Sequence, residues 1–126
     1  MRLNQITLPS TDVTRGRDFY VGLGFTLLVD SPPHYMRLEA PEGGTTLSLH
    51  LVDAMPTGDT AVIYLETETL DADVARLKAA GFAFFQKPRD ESWLWREARL
   101  HDPDGNVICL YHAGENRLNP PWRVRP

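Results

Sequence analysis

The feature that most limits what this chain can fold into is an internal repeat. A first-strand isoleucine occurs as Ile6 and again as Ile63, 57 positions apart. A helix-ending glycine followed by phenylalanine occurs as Gly24-Phe25 and Gly81-Phe82, again 57 apart. Two landmarks at one offset, within the same order of elements, point to duplication of a supersecondary unit.

The hydrophobic pattern gives the content of that unit. Residues 3–9 alternate and read as a strand. Ser10-Thr11-Asp12 is a run of helix-capping types, and Val13 to Val21 has helical spacing that Gly22 and Gly24 stop. Strands follow over Phe25 to Val29, His34 to Glu39 and Thr45 to Val52. The turns between them are Asp30-Ser-Pro-Pro and Pro41-Glu-Gly-Gly. The order then recurs. Thr60 to Glu66 is a strand, and Thr69 opens an amphipathic helix with Leu70, Val74, Leu77 and Ala80 on one stripe. Phe82 to Phe85 reads as a short strand, Lys87-Pro-Arg-Asp as a turn, and Ser92 to Leu100 as a strand. Asp102-Pro-Asp-Gly is a tight turn before a last strand from Asn106 to His112.

Each half is therefore a β-α-β-β-β module, and the fold class is α+β. Two modules edge to edge predict an open, curved, mixed β-sheet cup with helices outside. The expected organisation is a single domain over 1–126. It comprises a first module (1–52), a linker (53–59), a second module (60–112) and an extended C-terminal tail (113–126). In the tail, Pro120 and Pro121 oppose regular structure, and Trp122 is expected to be buried on the domain, on a partner subunit or as a lid.

Composition narrows the function classes. With 42% hydrophobic and 24% charged residues, 126 residues suffice for a core. The formal net charge is −4 and the charges are interleaved, with no basic stripe, so nucleic acid is not an expected partner. A single cysteine, Cys109, excludes an intramolecular disulfide and a CxxC metal site. No apolar run suggests a leader or a membrane span, and the expected location is the cytoplasm. No phosphate loop or nucleophile elbow is present.

At four places the chain resembles the vicinal oxygen chelate superfamily, which includes glyoxalase I, bleomycin-resistance proteins, fosfomycin-resistance enzymes and extradiol dioxygenases. The segments are Gln5-Ile-Thr-Leu-Pro-Ser-Thr-Asp12, Phe19-Tyr20 with Leu23-Gly24-Phe25, Leu77-Lys-Ala-Ala-Gly81, and Asp102-Pro-Asp-Gly-Asn106. The resemblance spans roughly residues 3–112. It implies four metal-ligand positions, usually His, Glu or Gln, which would hold Zn, Ni, Fe or Mn. Carried onto this chain they fall on Gln5, Ser48, Val62 and Cys109. Gln5 is permitted, Ser48 and Cys109 replace expected carboxylates, and Val62 has no donor atom. The usual metal site is thus not expected and no cofactor is predicted. A rebuilt divalent-metal site would draw on Gln5, His50 and Cys109.

The expected ligand pocket comprises Gln5, Ser48, His50, Tyr64, Trp93, Trp95, Arg99, Cys109 and Tyr111. Trp93 and Trp95 would form an indole wall and Arg99 would meet an anionic group. The tryptophans are equally readable as core or dimer contacts, Arg99 as a partner of Glu97, and His50 as an ordinary strand histidine. No catalytic residue is assigned. Three functions remain open: a metal-independent, homodimeric small-molecule binder of the bleomycin-resistance kind; a lyase, isomerase or dioxygenase with a rebuilt metal centre; and a structural or regulatory protein whose cup is filled by side chains.

Overall fold

A computed structural model describes all of residues 1–126. It contains two four-stranded open sheets, each mixed and each with its own helix. In chain order the elements are β1 (Gln5–Ser10), α1 (Val13–Leu23), β2 (Thr26–Ser31), β3 (Tyr35–Glu39), β4 (Thr46–Leu51), β5 (Val62–Glu66), α2 (Leu70–Ala79), β6 (Phe84–Asp90), β7 (Arg96–His101) and β8 (Val107–His112). A short 3-10 helix, Gly114–Arg117, follows. The paired β-α-β-β-β reading of the sequence is therefore correct.

The first compact unit comprises Met1–Thr60 with Asp102–Gly105. Its sheet runs β1-β4-β3-β2, with β1 parallel to β4 and the remaining pairs antiparallel. Alternation sends Leu8, Met36, Leu38, Leu47 and Leu49 to the helix side, where all are buried. Val13 and Tyr20 of α1 are buried with them. Gly16 lets the helix come close, since a Cβ there would lie 2.5 Å from Leu49 Cδ1. Asp12 caps α1 by accepting from the Arg15 N–H at 3.1 Å. Gly24, with φ of 110°, ends it in the left-handed conformation that glycine adopts without a steric penalty.

The second unit comprises Ala61–His101 with Asn106–Pro126. Its sheet runs β5-β8-β7-β6 with the same pattern of directions. Ala98, Leu100, Ile108 and Leu110 are buried, as are Leu70, Val74 and Leu77 of α2.

Two local expectations fail in β6 and β7. Lys87-Pro-Arg-Asp is not a turn, because β6 continues through it to Asp90. Pro88 is accommodated because β6 is an edge strand whose pairing with β7 is irregular between Gln86 and Arg89. The reversal lies instead at Glu91–Trp95, closed by Glu91 N–H to Trp95 O at 2.8 Å and Leu94 N–H to Glu91 O at 3.1 Å. Leu94 takes a left-handed φ of 67°. Ser92 to Trp95 are therefore not strand, and Trp93 sits in the turn. The tail also differs from the expectation: it begins with a 3-10 helix, and Trp122 is 57% exposed in the chain.

Candidate functional site

In each unit the sheet face away from the helix carries polar and aromatic side chains. On the second module this face presents Tyr64, Glu66, Trp95, Glu97, Arg99, Cys109 and Tyr111, set by alternation and by the pairs Tyr64↔Cys109, Arg99↔Cys109 and Glu97↔Tyr111. Tyr111 stacks on Trp95 with ring centroids 4.6 Å apart and an interplanar angle of 17°. Tyr64 meets both rings edge-on, at 5.5 Å from Tyr111 and 6.0 Å from Trp95. Trp95 Nε1 donates to Asn116 O at 3.4 Å.

Glu97 organises the polar part of this face. It is 1% exposed, so its carboxylate needs partners. Trp93 Nε1 donates to Oε2 at 2.7 Å, and Arg99 Nη2 donates to Oε1 at 3.1 Å. Arg99 Nη2 also reaches Tyr64 Oη at 3.4 Å. Trp93, Glu97, Arg99 and Tyr64 thus form one connected chain of contacts. Its two end rings are the open ones: Trp93 is 43% exposed and Tyr64 45%. Burial lowers the Arg99 pKa, but the hydrogen bonds to Glu97, electrostatic interaction with Cys109 and Glu97, and the hydrogen bond to Tyr64 together outweigh it and the net shift is upward. The Cys109 thiol is wholly buried and pushed up to about 12 by burial and by the neighbouring Glu97 carboxylate.

On the first module the corresponding face carries Gln5, Thr7, Tyr35, Arg37, Glu39, Thr46, Ser48 and His50. Ser48 is buried and hydrogen-bonded to Tyr35 Oη at 2.7 Å. Gln5 Oε1 accepts from Thr46 Oγ1 at 2.9 Å. His50 is exposed near the far end of β4.

The structure therefore gathers Tyr64, Trp93, Trp95, Arg99, Cys109 and Tyr111 on one module. Gln5, Ser48 and His50 are strung along one face of the other. Gln5 is level with Thr46, and His50 lies four residues further along the strand, about 13 Å away at about 3.3 Å per residue. The two cannot share an ion, so the rebuilt set of Gln5, His50 and Cys109 is not assembled. Glu97, Tyr35 and Arg37 were absent from the expected pocket. Their signal in the sequence was alternation: Tyr35 and Arg37 on one strand, and Glu97 and Arg99 on another, each fall on the polar parity.

The donor set does not fit a metal of the kind the family resemblance implies. Val62 offers no ligand atom, Ser48 is engaged with Tyr35, and Cys109 is a buried thiol held far from its thiolate form. No three His, Cys, Asp or Glu side chains converge as a metal-binding group.

Comparison with known proteins agrees with this architecture. Residues 2–110 match the model of the Glyoxalase/Bleomycin resistance protein/Dioxygenase superfamily. No curated protein matches the chain by sequence. Among solved structures, a glyoxalase/bleomycin resistance protein/dioxygenase from Nocardioides is 24% identical with a TM-score of 0.80, covering 99% of this chain and 90% of that one. A superfamily member from Sphaerobacter thermophilus is 26% identical with a TM-score of 0.72, covering 89% and 97%. A bleomycin-binding protein complexed with bleomycin is 22% identical with a TM-score of 0.69, covering 89% and 98%. With a family match over most of its length and the paired modules in place, the chain belongs to the glyoxalase/bleomycin resistance protein/dioxygenase superfamily.

Proposed function

We propose that this protein binds a small organic molecule on the polar and aromatic sheet face of its second module, and does so without a metal ion. The observation that carries this reading is the pair of half-exposed rings, Trp93 and Tyr64, tied to the two ends of the Glu97–Arg99 ion pair. Rings held at fixed positions provide stacking surface at little entropic cost. A planar, partly aromatic ligand would stack on them, and its polar groups would meet a pair that is electrically neutral as a unit.

Metal independence rests on the chemistry of the four ligand positions, of which only the Gln5 amide is an ordinary donor for a catalytic ion. The protein works in the cytoplasm as a homodimer. The exposed apolar residues Leu118, Trp122 and Val124 of the tail supply surface for a second copy.

Metal analysis and sedimentation velocity test these points together on protein purified without chelator. The expected result is a dimer with well below one equivalent of transition metal per chain. One tightly held ion per chain would overturn metal independence, and a monomer at micromolar concentration would overturn the dimer.

A further inference from the structure

Four arginines are half-buried: Arg17, Arg37, Arg96 and Arg99. Three rest on carboxylates. Arg17 meets Asp18 and Asp30, Arg96 meets Asp71 and Asp90, and Arg99 meets Glu97. Arg37 has no carboxylate partner. Its Nε donates to Tyr35 Oη at 2.9 Å, and its guanidinium carbon lies 5.5 Å from the centre of the Tyr35 ring. The two terminal nitrogens, Nη1 and Nη2, make no hydrogen bond within the chain.

This guanidinium is nonetheless held in place. Tyr35 Oη is fixed in turn by the wholly buried Ser48 at 2.7 Å, so a three-residue relay runs from the sheet interior to the open edge of Arg37. The Tyr35 hydroxyl shows the effect of that setting. Burial raises its pKa, but the hydrogen bonds with Ser48 and Arg37 and the positive charge of Arg37 outweigh this and lower it overall. Glu39 lies on the same face, yet its carboxylate accepts from the Gly44 N–H at 3.1 Å in the β3–β4 turn rather than from Arg37. His50, level with Tyr35 on the next strand, is exposed.

The duplication sharpens the contrast. Arg37 pairs with Ser48, which pairs with Thr7. Arg99 pairs with Cys109, which pairs with Tyr64. Thr7 and Tyr64 are 57 positions apart, the offset of the repeat, so the two arginines occupy equivalent places in the two modules. One is answered internally by Glu97 and the other is left open.

We propose that Arg37, oriented by Tyr35 and Ser48, is a binding site on the first module for the oxyanion group, carboxylate or phosphate, of a small molecule. A guanidinium with both terminal nitrogens available matches two oxygens of such a group. Holding the side chain beforehand reduces the entropy lost on binding.

The test follows the arginine Nε–H signals by nitrogen-15 NMR at low ionic strength, where a half-exposed charge pair is least screened. Benzoate and phenyl phosphate are titrated separately, with benzyl alcohol as the neutral control. The expected result is a saturable shift of the Arg37 signal with at least one anion and none with the alcohol. The larger effect identifies carboxylate or phosphate as the preferred group. Arg37→Gln should weaken binding about tenfold, the scale of one charge-assisted contact, and Arg37→Lys should recover part of it. An unmoved Arg37 signal with both anions overturns the proposal, as does a response to benzyl alcohol equal to that of the anions. Undiminished binding by folded Arg37→Gln does so too, and should that variant not fold, the wild-type signal decides.

Discussion

The indole N–H of Trp93 donates to the Glu97 carboxylate at 2.7 Å, joining a half-exposed ring to an almost fully buried charge. Glu97 also receives Arg99, so one side chain holds both the aromatic and the cationic part of the candidate surface. Replacing Glu97 by alanine leaves Arg99 without its anion and Trp93 without its acceptor. The expected loss is about 2–3 kcal/mol in urea unfolding, since hydrogen bonds to charged groups are the strong ones. The Trp93 contribution to fluorescence should change in the native state as well.

Tyr20 is wholly buried on α1, and its hydroxyl donates to Asp102 at 2.7 Å. Burial and the carboxylate both raise its pKa, so the hydroxyl remains a donor at any ordinary pH. Tyr20→Phe keeps the ring contacts with Phe19 and Phe25 but removes that donor from a buried acceptor. Chemical denaturation should show a loss of about 1–3 kcal/mol. A cost near zero would mean that the Asp102-Pro-Asp-Gly segment is not held by this bond.

Asp104 gives stability a pH dependence of definite sign. Burial raises its pKa, but hydrogen bonds from Ser10 Oγ at 2.6 Å and from the Thr11 backbone and hydroxyl, with the charge of Arg15, outweigh this and lower it. A carboxylate depressed in the folded state contributes stability above its unfolded pKa of about 3.9 and loses it as pH falls through the lower folded value. Thermal melts should therefore place Asp104→Asn below the wild type at pH 7, with the gap narrowing below about pH 4. A gap that is constant from pH 7 to pH 3 would contradict this.

Cys109 should behave as a core residue. With its thiol buried and raised to about 12, the thiolate fraction at pH 8 is negligible. Ellman's reagent should detect almost no thiol in the native protein and one per chain in guanidinium chloride. Rapid labelling of the native form would show that the second-module sheet opens readily.

The repeat made both modules legible, because Ile6 with Ile63 and Gly24 with Gly81 mark the same two points of one unit. Errors fell where local turn signals competed with pairing. Lys87-Pro-Arg-Asp carries louder turn chemistry than Ser92-Trp-Leu, yet an edge strand tolerates Pro88, and the cross-strand pairing put the reversal at Leu94. Parity alone grouped Tyr64, Trp95, Arg99, Cys109 and Tyr111, since alternation needs only the strand direction. It could not separate Gln5 from His50, because distance along a sheet depends on the β1–β4 register. Nor could it show that Arg37 lacks a carboxylate while Arg99 has one, which depends on where Glu39 turns.

The most direct test of the central claim is a fluorescence titration of metal-free protein, with EDTA present, using bleomycin and the planar aromatic cation proflavine as probes. Saturable quenching of tryptophan emission by at least one probe is predicted. Trp93→Ala or Tyr64→Ala should weaken that binding by about threefold to tenfold, the scale of one aromatic contact. Absence of saturable binding by either probe would contradict the account, as would binding that appears only when a divalent metal is added or that ignores both substitutions.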